Sequence, residues 1–246
     1  MSSSNLNVYL SSMDEDRFGI RTAKASQVSA ATLPALMDFC QAQGVTLLIA
    51  RCPTSELEAA QAMEQRGFLL MDTLVYYARS LMNVPLPGDH GGTLVRPVRS
   101  GDEELVRDVA AECFRGYQGH YHADARLDRT RCDEVYTDWA YRSCISRDVA
   151  DEVLVAEIDG AIAGFATVRL NSPEESEGLL AGVATWARSR GFYRALLTQR
   201  MRWSLSQGAT RTLISTQVTN TTVQRQWTRL GYEPSYSYYT FHRWFS

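Results

Sequence analysis

The chain repeats part of itself at a single offset: Gly44 and Gly208, Gly67 and Gly231, and Arg79 and Arg243 each lie 164 positions apart. Helix, strand, helix and strand follow in the same order in both stretches. Gln43-Gly44 matches Gln207-Gly208, a glycine ends the second helix of each copy, and each copy closes in an aromatic strand. A period shared by several elements constrains topology more than local propensity does, because one arrangement must be reached twice. The first region therefore reads as a half-copy of a later, complete unit. It differs at one informative place: Glu56 stands where the second copy has Asn220, and no Arg/Gly loop precedes it. That copy is expected to pack rather than catalyse.

Between the two units, Asn83 to Thr93 holds two prolines and three glycines, a composition that continues neither helix nor strand. The expected organisation is an α/β unit over 1–81, a linker over 82–93 and a second α/β domain over 94–246. In the first unit, apolar spacing predicts a helix over Ala31 to Gln43, a buried strand over Val45 to Ala50, a helix capped by Thr54 or Ser55, and a strand from Phe68 to Arg79. In the second, Leu94 to Val98 reads as a strand, and a helix runs from Ser100 to about Arg115 with Asp102, Glu103 and Glu104 suiting its first turn. Another helix is expected near Cys132 to Ile145, and Asp159-Gly160 is a hairpin turn between Glu152–Ile158 and Ile162–Leu170. Strand Leu179 to Thr185, helix Arg194 to Gln207, strand Thr212 to Gln217, helix Thr221 to Leu230 and strand Tyr232 to Trp244 complete an order βααβββαβαβ.

Within that order, Gly178 to Leu197 is a hydrophobic strand that enters a short Arg/Gly loop and passes directly into a helix. A helix N-terminus carries unpaired N–H groups and the positive end of the dipole, and a glycine before it lets an anion approach the backbone. The loop is suited to a pyrophosphate, held by N–H groups from Ser189 to Arg194 and by the charges of Arg188, Arg190 and Arg194.

Composition narrows the rest. A net charge of −3 without a long Lys/Arg run excludes a polyanion groove, so nucleic acid is not an expected partner. The N-terminus has no basic and apolar leader pattern and no stretch reaches eighteen consecutive apolar residues, so a cytoplasmic protein without a membrane partner is expected. Five scattered cysteines without a CxxC pair are expected to be reduced packing residues. No metal is expected either, since His120 and His122 alone make a poor zinc site.

Arg188-Ser-Arg-Gly191-Phe-Tyr193 resembles the phosphate loop Q/R-x-x-G-x-G/A of the GCN5-related N-acetyltransferase family, with tyrosine at the third fixed position. A second family pattern, N-x-x-A-x-x-x-Y-x-x-x-G-F, matches Asn220, Val223, Trp227, Gly231 and Tyr232 with every spacing kept. The resemblance covers residues 94 to 246 and implies a mixed α/β sheet splayed between its fourth and fifth strands. It also implies acetyl-CoA, or another acyl-CoA, as co-substrate. Within the family the chain is most similar to dTDP-fucosamine-type acetyltransferases, which carry a partial unit before the complete one. This implies a small-molecule amine acceptor, a nucleotide-linked amino sugar, attacking the thioester directly.

On that reading Val183, Arg188, Ser189, Arg190, Gly191, Phe192, Tyr193, Arg194, Asn220 and Trp227 line the cofactor side. Tyr117, His120, Tyr121, His122 and Arg126, in an aperiodic aromatic and ionisable segment, face the acceptor: Arg would meet a diphosphate and Tyr would stack on a base or sugar. His120 and His122 are candidate bases, because imidazole titrates in the right range, and the sequence does not choose between them. The family's proton-donating tyrosine falls at Trp227, whose indole is no acid. Three outcomes stay open: Tyr232, Tyr236 or Tyr238 substitutes; the thiolate leaves unassisted; or the protein binds CoA without turnover. Another amine or a longer acyl chain is also open. The aromatic last strand would pair either across a homodimer or against the N-terminal copy.

Overall fold

The computed structural model describes residues 6–82, 84–88 and 94–245, so positions 83 and 89–93 of the expected linker lie outside the described residues. The first half runs β1 (Asn7–Leu10), α1 (Ser12–Phe18), β2 (Thr22–Ser26), α2 (Leu33–Ala42), β3 (Leu47–Pro53), α3 (Leu57–Gln65) and β4 (Leu69–Ser80). The second runs β5 (Leu94–Pro97), α4 (Glu103–Cys113), α5 (His120–Ala123), α6 (Arg129–Ile145), β6 (Glu152–Ile158), β7 (Ala161–Ser172) and β8 (Glu175–Val183). It finishes with α7 (Phe192–Ser206), β9 (Arg211–Gln217), α8 (Thr221–Arg229) and β10 (Glu233–Trp244).

Three local expectations change. β1, α1 and β2 precede the first predicted helix; α1 is too short for apolar periodicity to reveal, although Ser11 caps it and Gly19 closes it in the left-handed region. Neither Thr54 nor Ser55 caps α3: Glu56 is its N-cap, without a side-chain bond, and the Thr54 hydroxyl instead lies 2.7 Å from Ser237 Oγ on β10. The aperiodic segment contains α5, a single turn entered through Gly119. A Cβ at Gly119 would come 2.5 Å from the Tyr136 hydroxyl, so a larger residue there would have to displace that phenol. The β6–β7 hairpin is as expected, with Asp159 and Gly160 both at positive φ, as a two-residue turn of its hand requires.

All ten strands form one mixed sheet in the order β1-β2-β3-β10-β4-β9-β8-β7-β6-β5. The repeat explains its centre. β3 and β9, α3 and α8, and β4 and β10 begin and end at the same 164-residue offset. Each half inserts its last strand into the other: β10 lies between β3 and β4, and β4 lies between β10 and β9. The exchange is reciprocal in side chains too. A Cβ at Gly231 would meet Arg79 Nη1 at 3.1 Å, and one at Gly67 would meet Arg243 Nη1 at 3.0 Å, so the last strand of each half lays an arginine on the helix-ending glycine of the other. Arg79 also donates to the carbonyls of Leu230 and Pro85. Both edges of β10 are thus taken within the chain.

Helices cover both faces. α7 and α8 pack on one, through Leu197, Met201, Trp227 and Leu230 against Tyr77 and Ile214. α4 and α6 pack on the other, through Val106, Val109 and Ala140 against Val155, Phe165 and Leu180. Between β8 and β9 the pairing is parallel and ends at Gly178 with Ile214. There β8 carries one residue more than β7, since Val168 faces Gly178 while Ala166 faces Ala181. Such a bulge bends a strand. Beyond it, Leu179–Val183 and Ser215–Gln217 part, and the sheet opens.

Candidate active site

On the α7 face, the turn Thr185–Ala187 leads through Arg188, Ser189 at φ 63 and Arg190 to Gly191 at φ 87, the N-cap of the fifteen-residue α7. A glycine tolerates that left-handed conformation at no steric cost. No side chain caps α7, so the first-turn N–H groups remain available to an anion. Arg188 and Arg190 precede Gly191 and Arg194 follows in the first turn of α7; Arg190 lies over the Phe192 ring at 5.6 Å, and Arg194 Nε is buried without a partner. Phe192 itself is core. Asn220 caps α8 by accepting from the Val223 N–H and donates to Thr216 Oγ1 at 3.1 Å. Trp227 is buried, edge-on to Tyr77, and its Nε1–H donates to the Tyr193 hydroxyl at 2.9 Å.

A cavity of about 590 Å³ joins this region to the opposite face. Tyr193, Asn220, Val223 and Trp227 wall one end, Leu179–Ala181 and Ser215–Gln217 its passage, and Asp14, Lys24, Arg51, Asp72, Tyr117, His120 and Tyr121 the other. The passage is the gap where β8 and β9 part. Its floor holds an unusual cation: Arg200 is fully buried, its Nη2 donates to the Tyr232 hydroxyl at 2.7 Å, and its Nε and Nη1 have no partner. Gly178 makes room for that guanidinium, which would overlap any Cβ there.

At the far end, Arg51, Thr240 and Asp72 lie side by side on β3, β10 and β4. Both Asp72 carboxylate oxygens are buried without a hydrogen bond. Burial pushes the Asp72 carboxyl up, partly opposed by Thr240 and Arg51 beside it. Asp14, bonded by Tyr121 and paired with Lys24, is held low against its own burial.

Next to this row runs a chain of three ionisable groups. Asp124 Oδ2 lies 2.8 Å from His242 Nδ1, and His242 Nε2 lies 2.9 Å from His120 Nδ1. Burial raises the Asp124 carboxyl, but bonds from His242 and Trp244 outweigh it and bring its pKa down to about 2. An ionised carboxylate only accepts, so His242 Nδ1 donates; with a neutral His242 ring its Nε2 accepts, His120 Nδ1 donates and His120 Nε2 keeps a lone pair. That nitrogen has no partner among the described residues. Burial, reinforced by His242 and Arg51, drives the His120 pKa well below the usual imidazole range, so the ring is neutral at neutral pH.

The two candidate histidines thus part company. His122 accepts from the Gly119 N–H at Nδ1 and meets Asp133 at Nε2, away from the cavity walls. Arg126 also lies off the cavity, over the Trp244 ring. Tyr117 lines it and donates to Gln217; Tyr121 lines it and donates to Asp14. Tyr232 is core, engaged with Arg200, and is not a cavity wall, and neither is Val183, whose neighbours Leu179–Ala181 are. Asp72, Arg200 and His242 escaped the sequence reading, and Asp124 stood in the aperiodic segment without a role. His242 and Asp124 are 118 residues apart and carried no motif; only the alternation of polar residues in an aromatic strand hinted at His242.

Among the described residues no helix is long and apolar enough to cross a membrane, and no cluster of three His, Cys, Asp or Glu could hold a metal ion. The model of the acetyltransferase (GNAT) family matches residues 106–232. The spore coat polysaccharide biosynthesis protein SpsD of Bacillus subtilis (strain 168) is 22% identical over 202 residues, 80% of this chain but 66% of that protein, just under two thirds of its length. Among solved structures, a GCN5-related N-acetyltransferase from Sphaerobacter thermophilus superposes with a TM-score of 0.67 at 16% identity, over 97% of this chain and 76% of the other. A tandem GNAT protein from the clavulanic acid biosynthesis pathway gives 0.64 at 15% identity, over 92% and 76%.

Proposed function

Because the chain belongs to the acetyltransferase (GNAT) family, we propose that it transfers the acetyl group of acetyl-CoA to the amine of a nucleotide-linked amino sugar, of the dTDP-linked amino-dideoxyhexose type. The observation that carries this reading is the cavity through the sheet. It runs from Tyr193, in the first turn of the uncapped α7, to a chamber containing a neutral imidazole and an unpaired carboxylate. Acyl transfer between two separate molecules needs such a passage, with the donor entering from one face and the acceptor from the other.

Each wall has a task. The N–H groups after Gly191, with Arg188, Arg190 and Arg194, hold the pyrophosphate. The edge of β8 from Leu179 to Val183, unpaired once β9 has turned away, offers backbone groups to the pantetheine amides and donors to the thioester oxygen. Asp72 attracts the acceptor as an ammonium ion. His120 Nε2 takes one ammonium proton, the freed lone pair attacks the thioester carbon, and the second proton leaves the nitrogen for solvent as the carbon–sulfur bond breaks; His242 and Asp124 hold His120 in the accepting tautomer. Asp124 works here as a positioning residue, three bonded groups from the amine.

Sugar chemistry is favoured by the relative named for polysaccharide biosynthesis. The chamber agrees in character: Arg51 has no carboxylate partner among the described residues, and Tyr9 and Tyr76 line it, so an anionic diphosphate and a flat base both find complements. The test is incubation with acetyl-CoA and a panel of dTDP- and UDP-linked amino sugars, polyamines and peptide N-termini, following thiol release. Turnover confined to the nucleotide sugars is expected. Preference for a polyamine or peptide refutes the acceptor assignment, and tight CoA binding without turnover on any amine refutes catalysis.

A further inference from the structure

Thioester cleavage leaves an electron pair on sulfur, and a proton must reach that atom. Tyr193 occupies the first turn of α7, between the anion-binding loop and the opening of the sheet, and its ring lines the cavity. Its hydroxyl accepts the Trp227 Nε1–H at 2.9 Å. Indole nitrogen only donates, so the phenol oxygen is the acceptor in that bond and its own proton is left over. No acceptor for it exists among the described residues.

The other phenols are differently placed. Tyr232 is tied to Arg200 inside the core; Tyr236 and Tyr238, on β10, pack against Tyr76 of β4; Tyr117 spends its proton on Gln217. Trp227, fixed against Tyr77, holds the Tyr193 oxygen in one position. We propose that Tyr193 is the proton donor to the departing CoA sulfur and that Trp227 is its positioning partner. The inference rests on the acyltransfer reading above. As the carbon–sulfur bond breaks, its electron pair goes to sulfur, the Tyr193 Oη–H proton follows, and the phenolate left behind is stabilised by the Trp227 N–H until solvent returns a proton. Burial pushes the Tyr193 pKa up to about 12, against the opposing Trp227 bond, which keeps the proton in place across the working range. The charged and titratable groups facing it are Arg200 from its own helix, Tyr232 ahead of β10, and Tyr117 from across the passage.

The two sequence irregularities then have one explanation, since the tyrosine at 193 and the tryptophan at 227 are bonded to each other. The experiment uses the full chain, acetyl-CoA and the best amine from the panel. Tyr193→Phe is expected to lower kcat about 100-fold with acetyl-CoA affinity by calorimetry unchanged, and Trp227→Phe to lower kcat less. Substitution of position 193 by 3,5-difluorotyrosine, a more acidic phenol, should shift the basic limb of the kcat profile to lower pH. A Tyr193→Phe enzyme with wild-type kcat, one that loses only acetyl-CoA affinity, or a basic limb indifferent to fluorination overturns the proposal. Failure of the acyltransfer reading is read separately, as a wild-type protein that releases no thiol with any amine.

Discussion

Asp72 should cost the protein stability, and replacing it should recover that stability while damaging function. Neither carboxylate oxygen has a hydrogen bond, and both are buried. Leaving a buried acceptor unpaired costs about 1–3 kcal/mol, more when it is charged. Asn keeps the volume and the carbonyl but removes the charge, so Asp72→Asn should stabilise the chain by about 1–2 kcal/mol, or roughly 2–8 °C in Tm for a domain of this size. The sign with pH follows from the raised pKa. Below the ordinary value of 3.8 the carboxyl is protonated in both folded and unfolded states and carries no charge penalty. As pH rises through the folded pKa, the native state must bear a charge that the unfolded chain solvates freely, so stability falls relative to the variant. The Tm gap between Asp72→Asn and wild type should therefore be closed near pH 4 and widen towards neutrality. Calorimetric melts across that range measure it, and initial rates should show a raised amine KM with acyl-CoA affinity intact. A variant less stable than wild type at neutral pH, or a gap indifferent to pH, would show that Asp72 is a paired structural group and refute its role as the ammonium site.

Gly191→Asp should abolish CoA binding by calorimetry, because it brings charge and a strained side chain to the φ 87 position where the pyrophosphate is proposed to sit; retained affinity would remove α7 from the site. His120→Ala should lower kcat by roughly 100-fold and leave CoA binding intact, whereas His122→Ala should keep kcat and lower only Tm, measured side by side. In wild type, kcat/KM should fall on acidification only below the ordinary imidazole range, since burial lowers the His120 pKa; an acidic limb near 6.5 would point to another base. A protease site engineered between Ser80 and Leu94 should yield, after cleavage, two fragments that remain together on gel filtration. β4 is bonded on one edge to β10 and on the other to β9, so separation under native conditions would contradict the exchanged sheet.

Sequence alone carried the parts of this molecule whose chemistry is local. A strand, an Arg/Gly loop and a helix stand consecutively from Gly178 to Leu197, and their backbone roles follow from residues that touch in sequence. The repeat likewise reported its own elements, since β3, α3 and β4 map onto β9, α8 and β10 without a single-residue slip. What an offset cannot report is where each copy's last strand goes. The exchange places Asp72 of the first half beside Thr240 of the second, and His242 against His120. His242 and Asp72 owe their positions to that crossing: His242 reaches Asp124 across 118 residues, and Asp72 lies on a strand that belongs by sequence to the half without a phosphate loop. The first half, expected to pack rather than catalyse, supplies Lys24, Arg51 and Asp72 to the chamber through the same exchange. On the proposed acyltransfer reading, a half-copy that has no anion loop of its own can still set which amine the other half acylates, because its strands line the chamber assigned to that amine.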